Sequence, residues 1–183
     1  MGKKVAITGM GIISSIGNTV EENYNALVNG KGGISVIANL ETIHAAVIKV
    51  GEIKLTNQQL EQQLGLSSDN NFSRTAMLGA IAAKQAVENA GIHNINKYKT
   101  GLISATSVAG MDMTEKYYYD YFEKETCRKY ISSHDAGDVT HKIAEQLGLK
   151  GFVTTISTAC SSAANAIMLG ARLIQSGQLD RVI

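Results

Sequence analysis

Residues 73–90 (SRTAMLGAIAAKQAVENA) constrain the fold more than any other stretch of the chain. Ala76, Ala80, Ala83, Ala86 and Ala90, with Leu78, Ile81 and Val87 between them, put apolar groups on most sides of a helix. A helix that is apolar on most sides must be covered on most sides. Two apolar, β-branched runs read as buried strands after it, 100–107 (TGLISATS) and 152–158 (FVTTIST). A third, 4–13 (KVAITGMGII), is apolar on both faces, as a central parallel strand should be.

The remaining elements alternate with these. Asn18 or Thr19 caps a helix over 20–28, with Glu21 and Glu22 in its first turn, where the dipole favours them. Residues 45–53 suggest a peripheral strand and 56–64 a short polar helix. A helix over 113–124 carries the run Tyr117-Tyr118-Tyr119, with one or two of the rings expected to pack. Asp138 is expected to cap a helix through 147, stopped by Gly148, and a further helix runs over 160–175 before a strand begins at 181. Strands alternating with helices predict α/β layers around a largely parallel sheet. Because the sequence stops inside an apolar strand, it reads as part of a longer protein.

Composition excludes several classes of function. With 17 basic and 16 acidic residues the net charge is +1, which gives no footprint for nucleic acid or an anionic membrane surface. No apolar run approaches the length of a membrane span. The two cysteines, Cys127 and Cys160, and the four histidines are dispersed, so no metal site is expected and a reducing, cytoplasmic setting is the default. Proline is absent, leaving the turns to 18 glycines.

One cysteine stands apart. In residues 157–172 (STACSSAANAIMLGAR), Cys160 lies among small residues between a strand and a helix. A helix start presents free N–H groups and a positive dipole end, an environment that favours a thiolate nucleophile. Free cysteine is equally at home as a small buried hydrophobe. The spacing alone leaves both readings open. Cys127, in the charged stretch 123–129, belongs to no motif.

The wider pattern Gly151-x4-Ile156-x2-Ala159-Cys160-Ser161-Ser162-Ala163-x3-Ile167 resembles the active-site signature of the β-ketoacyl synthases of the thiolase superfamily. Residues 5–35 are similar to that family's opening strand, glycine turn and first helix, 73–92 to its alanine-rich buried helix, and 100–110 to a strand and turn lining its acyl pocket. The resemblance implies one half of a thiolase-like layered α/β fold, a mostly parallel mixed sheet flanked by helices, here the amino-terminal half over 1–183. It implies that Cys160 accepts an acyl group from an acyl carrier protein, and that a malonyl-type extender then loses carbon dioxide and condenses with it. The product is a 3-ketoacyl thioester of fatty-acid or polyketide-like synthesis, made without a cofactor by a homo- or heterodimer. Val108 matches a position bordering the acyl pocket, where simple core packing is the alternative. A non-catalytic chain-length partner subunit, or an acyltransferase or hydrolase of the same fold, are the competing functions.

The chain departs from the family in places. The family's catalytic histidines and structural lysine belong to its second half. None of His44, His93, His134 and His141 sits in a matching motif, so each is expected at the surface or in a loop. Without that half, the chain is expected to expose a sheet and helix face and to be inactive alone. The stretch before the buried helix, Asp69-Asn70-Asn71-Phe72, lacks the family's basic cluster for docking the carrier protein. Arg74 is the one nearby cation that could substitute, although a structural bond at the helix start is the commoner fate of such an arginine. The segment before Asp138 is shorter than in fatty-acid enzymes, which points to a specialised polyketide-like pathway.

Overall fold

The structure is a computed structural model that describes residues 4–183. Helix α1 (Val20–Val28) starts at Thr19, whose side chain accepts from the Glu22 N–H, and stops before Gly30 at φ +63°. A small antiparallel pair follows, β1 (Ser35–Val36) with β2 (Lys49–Val50), so only the two central residues of the expected peripheral strand are sheet. The loop after β1 is held by Glu52, whose carboxylate accepts from the N–H groups of Ala38, Asn39 and Leu40 at 2.9–3.1 Å. Helix α2 (Asn57–Leu64) opens with a reciprocal capping box between Thr56 and Gln59. Helix α3 (Arg74–Asn89) is the alanine-rich segment, capped by Ser73.

The main sheet is parallel and three-stranded among the described residues, in the order β4 (Phe152–Ile156), β3 (Thr100–Ala105), β5 (Arg181–Val182). Between β3 and β4 lie α4 (Met111–Tyr117), α5 (Arg128–Ile131) and α6 (Ala136–Gln146); α7 (Ser162–Gln175) joins β4 to β5. The buried core gathers Leu60 and Leu64 of α2, Met77 and Ile81 of α3, Leu102 of β3 and Ile143 of α6. Leu60 and Met77 are 0% and 1% exposed, and each such side chain contributes about 1.5–3 kcal/mol of burial free energy. Lys142 reaches into this layer, donating to the Asn71 carbonyl and pairing with Asp138 at 2.7 Å.

Three sequence expectations change. Residues 4–13 form no strand: the segment has no regular secondary structure and joins no sheet among the described residues. A cleft of about 390 Å³, walled by Val5–Gly9, α3, α7 and β5, separates it from the sheet edge. The segment rests instead on α3. A Cβ on Gly9 would lie 2.3 Å from the Ala86 carbonyl oxygen, and one on Gly11 would lie 1.9 Å from that of Ala82. Met10 and Ile12 donate their N–H groups to the Asn89 and Gln85 side chains. The alternation that reads as a two-faced strand therefore serves backbone-to-helix contact, with glycines facing alanines.

The expected helix over 113–124 begins at Met111 and stops at Tyr117, giving way to a short 3₁₀ turn. Tyr117 stacks on Tyr130 of α5, centroids 4.1 Å apart, while Tyr118 and Tyr119 stay exposed, as the packing of one or two rings anticipated. The cap of α6 is Asp135, not Asp138. Asp135 is extended and accepts from Gly137 N–H at 2.7 Å, whereas Asp138 sits in the first turn and is committed to Lys142.

Two outcomes follow. Gly11→Ala should destabilise the protein by about 2–3 kcal/mol in urea denaturation, because the methyl meets backbone that cannot move aside. What desolvation Glu52 suffers raises its pKa, but three backbone donors and Lys54 outweigh it and hold the carboxyl below its usual 4.5. A depressed folded pKa stabilises above the unfolded value and is lost as pH falls through the folded one. Glu52→Gln should therefore be less stable than wild type at neutral pH, the gap closing as the pH is lowered below 4.5.

Candidate active site

Adjacent parallel strands deliver two turns to one edge of the sheet. Ala105 of β3 is in register with Ile156 of β4, and the Thr106 N–H continues the pairing to the Ile156 carbonyl at 3.3 Å. Beyond that point the strands release residues 106–110 and 157–161. In parallel α/β sheets this carboxyl edge is where ligands bind. Each turn contains an alanine in the left-handed region, Ala109 at φ +47° and Ala159 at φ +51°. For an L-residue with a Cβ this costs roughly 1–2 kcal/mol, and strain of this kind collects at functional sites.

Cys160 follows the strained Ala159, in a 3₁₀ turn (Ala159–Ser161) that leads directly into α7. Its thiol is free and exposed, so it fills no packed corner. The turn is tied down by its neighbours rather than by Cys160. Thr158 N–H donates to Ser162 Oγ at 2.8 Å, and Ser162 Oγ donates to the Ala159 carbonyl at 2.7 Å. Ser161 Oγ donates to the Thr158 carbonyl at 2.8 Å, and Asn165 Nδ2 donates to Thr158 Oγ1 at 2.9 Å. These hydroxyls hold Ala159 in its strained conformation and aim the cysteine outward at a helix start.

Val108 stands on the companion turn, 56% exposed, while its neighbours Thr106, Ala109 and Gly110 are buried. It is not core packing. Beside Cys160, the outer face of α7 is bare: Ile167 is 72% exposed, Met168 44%, and Ala163 and Ala164 are exposed. Ile7 and Met10 of the amino-terminal segment are exposed as well, so the expected uncovered apolar face is present.

The other singled-out residues lie elsewhere or are occupied. All four histidines are exposed. His134 shares a hydrogen bond with Thr114, and none of the four bonds to the turn at Cys160. Cys127 is buried. Arg74 is consumed by structure: its guanidinium donates to Asn57 Oδ1 at 2.7 Å and to the Ile53 and Leu55 carbonyls at 2.9 Å. Burial lowers its pKa against the pull of Glu52 and Asp112. Sequence reasoning did not single out Thr158, Ser162 or Asn165 as the network around Cys160. Their one signal was the density of hydroxyl-bearing residues in 157–162.

The candidate site is thus an exposed thiol on a strained strand-to-helix turn, at the carboxyl edge of a parallel sheet in an α/β protein. The family model "Beta-ketoacyl synthase, N-terminal domain" matches residues 2–183, and the chain belongs to that family. It is 28% identical over 187 residues to 3-oxoacyl-(acyl-carrier-protein) synthase 2 of Vibrio cholerae, an alignment covering 99% of this chain and 44% of the relative. The chain thus spans somewhat less than half the length of that curated relative. Among solved structures, the ishigamide ketosynthase/chain length factor superposes with a TM-score of 0.82 at 22% identity, over 97% of this chain and 45% of that one. A type II polyketide ketosynthase, solved with its acyl-carrier protein and bound to the hexaketide, gives a TM-score of 0.66 at 19% identity, over 97% and 49%. The fold is thiolase-like and layered, as the sequence resemblance implied.

The strain at residue 159 can be measured. Ala159→Gly should leave stability within about 1 kcal/mol of wild type, relief of the left-handed Cβ offsetting the added unfolded-state entropy. Ala159→Val, β-branched at positive φ, should lose about 1–2 kcal/mol in the same denaturation assay.

Proposed function

We propose that this chain is the amino-terminal half of a condensing enzyme, a 3-oxoacyl-acyl carrier protein synthase, with Cys160 as its acyl acceptor. The observation that carries the reading is the free, exposed thiol following a strained alanine at the start of α7. In this mechanism the Cys160 thiolate attacks the carbonyl of an acyl thioester and the carrier thiol departs, leaving an acyl-cysteine. A malonyl thioester then loses carbon dioxide. Its carbanion attacks the acyl-cysteine carbonyl, forming the new carbon–carbon bond and returning the thiolate to Cys160. The Cys160 backbone N–H, at a helix start, is suited to stabilise the oxyanion formed at each attack. The exposed Val108, on the adjoining turn, is a wall of the acyl pocket. No cofactor enters this chemistry.

Several features support the wider reading. The bare apolar face of α7 fits cover by the carboxy-terminal part that the longer relatives have and this chain does not span. That part would also supply the proton-handling groups, and without it the present half is inactive. A ketosynthase relative solved with its acyl-carrier protein supports a carrier protein as the thioester donor. Arg74 is occupied, so docking of the carrier uses other cations. The ketosynthase/chain length factor likeness fits a dimer in polyketide-like synthesis, and a cytoplasmic setting belongs to the same reading. Among the described residues no helix is long and apolar enough to cross a membrane. Against a non-catalytic partner subunit stands the retained, exposed Cys160.

Incubation of the full-length protein with an acyl-acyl carrier protein, followed by peptide mass spectrometry, should show the acyl mass on Cys160. Cys160→Ala should abolish it. An adduct on Cys127, or one that survives in Cys160→Ala, would falsify the assignment.

A further inference from the structure

Residues 106–110 are anchored at both ends, through Thr106 and through Ala109 and Gly110. Thr106 is joined to the end of β4 through its N–H, and its Oγ1 accepts from the Ala109 N–H at 3.1 Å. Gly110 is then clasped by Ser133, in the 3₁₀ turn (Ser132–His134) after α5. Gly110 N–H donates to the Ser133 carbonyl at 2.8 Å, and Ser133 Oγ donates back to the Gly110 carbonyl at 3.2 Å. The two residues touch so closely that a Cβ on Gly110 would lie 2.6 Å from Ser133 O and Oγ. Ser133 is itself 0% exposed, and its one hydroxyl proton is shared: Oγ donates to the Tyr130 carbonyl at 2.6 Å, with the Gly110 carbonyl as the longer arm. Tyr130 stacks on Tyr117 of α4, the helix for which Gly110 is the N-cap. The clasp therefore belongs to a closed unit of α4, α5 and the turn. The side chains of Ser107 and Val108 project from it, and Val108 is the apolar one.

We propose that Ser133 is a positioning residue for acyl-chain selectivity: by clasping Gly110 it holds Val108 at a fixed place beside the Cys160 turn. The inference rests on Cys160 as acyl acceptor. Ser133 touches no acyl group. It acts through the strained alanine turn, which a serine-sized hydroxyl and a residue without a Cβ at position 110 together keep in place. With the clasp intact Val108 forms a stiff wall, and a long chain meets it. With the hydroxyl removed, the turn relaxes and the wall yields.

The test uses the full-length protein and two probes, the hexanoyl and dodecanoyl thioesters of N-acetylcysteamine, with the rate of Cys160 acylation followed by intact mass. Ser133→Ala should raise the dodecanoyl-to-hexanoyl rate ratio by about fivefold, the factor that one net hydrogen bond carries. A role in stability alone would scale both rates together. In a Val108→Ala background the Ser133→Ala change should no longer alter the ratio. If Ser133→Ala fails to fold, Thr106→Val, which removes the acceptor for Ala109 N–H, should produce the same rise. An unchanged ratio with Cys160 still acylated overturns the proposal and leaves the function standing, as does an equal shift with or without the Val108 side chain. Wild-type protein that takes neither acyl group on Cys160 overturns both.

Discussion

The parallel pairing of β3 with β4 is the interaction from which the site descends. Its register, Ala105 opposite Ile156, brings the exits of both strands to one level of the same edge. The backbone hydrogen bonds of this ladder are short-range and directional, so an error of one residue would turn each strand's side chains to the opposite face. Everything beyond the edge inherits that alignment: Val108 on one turn, Cys160 on the next, and the start of α7 beneath the thiol. The two left-handed alanines sit where the chain must leave a strand abruptly, and the surrounding hydroxyls and buried backbone bonds sustain their strain.

A second constraint sets the layers. Helix α3 is lined with small side chains, and it uses them to accept close neighbours on several sides. Gly79 lies against Ile143 of α6, where a Cβ would be 2.7 Å from Cδ1, and the amino-terminal segment lies against Ala82 and Ala86 through Gly9 and Gly11. Dispersion energy falls steeply with separation, so such contacts are effective only when no methyl intervenes. The same economy of bulk recurs at Gly170 of α7, buried against Val182 of β5.

The surface left bare is as informative as the core. The exposed Ile167 and Met168 of α7 lie on the helix that Cys160 introduces, and the exposed Ile7 and Met10 lie on the amino-terminal segment. Contiguous exposed apolar surface of this kind marks a place where protein meets protein. A condensing site that must shelter a carbanion from water needs such cover, which fits the proposed need for the rest of the enzyme.

Local pattern was enough for the helices with clear caps and stops, for strands β3 and β4, and for Cys160 at a strand-to-helix turn, because capping, glycine stops and apolar runs act within a few residues. The chain-wide resemblance carried the layered α/β fold and the family. Local pattern misplaced the amino-terminal segment, since apolar residues interspersed with glycines suit a strand and an irregular chain packed on a helix equally well. It also missed Asp135 as a cap and Ser133 as a clasp. A serine in a polar stretch looks the same whether it faces water or is wholly buried against a glycine that precedes it by 23 residues. Those assignments depend on which distant backbone a side chain meets, and only the tertiary structure decides that. The sequence by itself determined that a cysteine stands among small residues at the start of a helix. The fold decided that it is exposed, and which neighbours hold its turn under strain, because both follow from how separate strands and helices pack rather than from spacing along the chain.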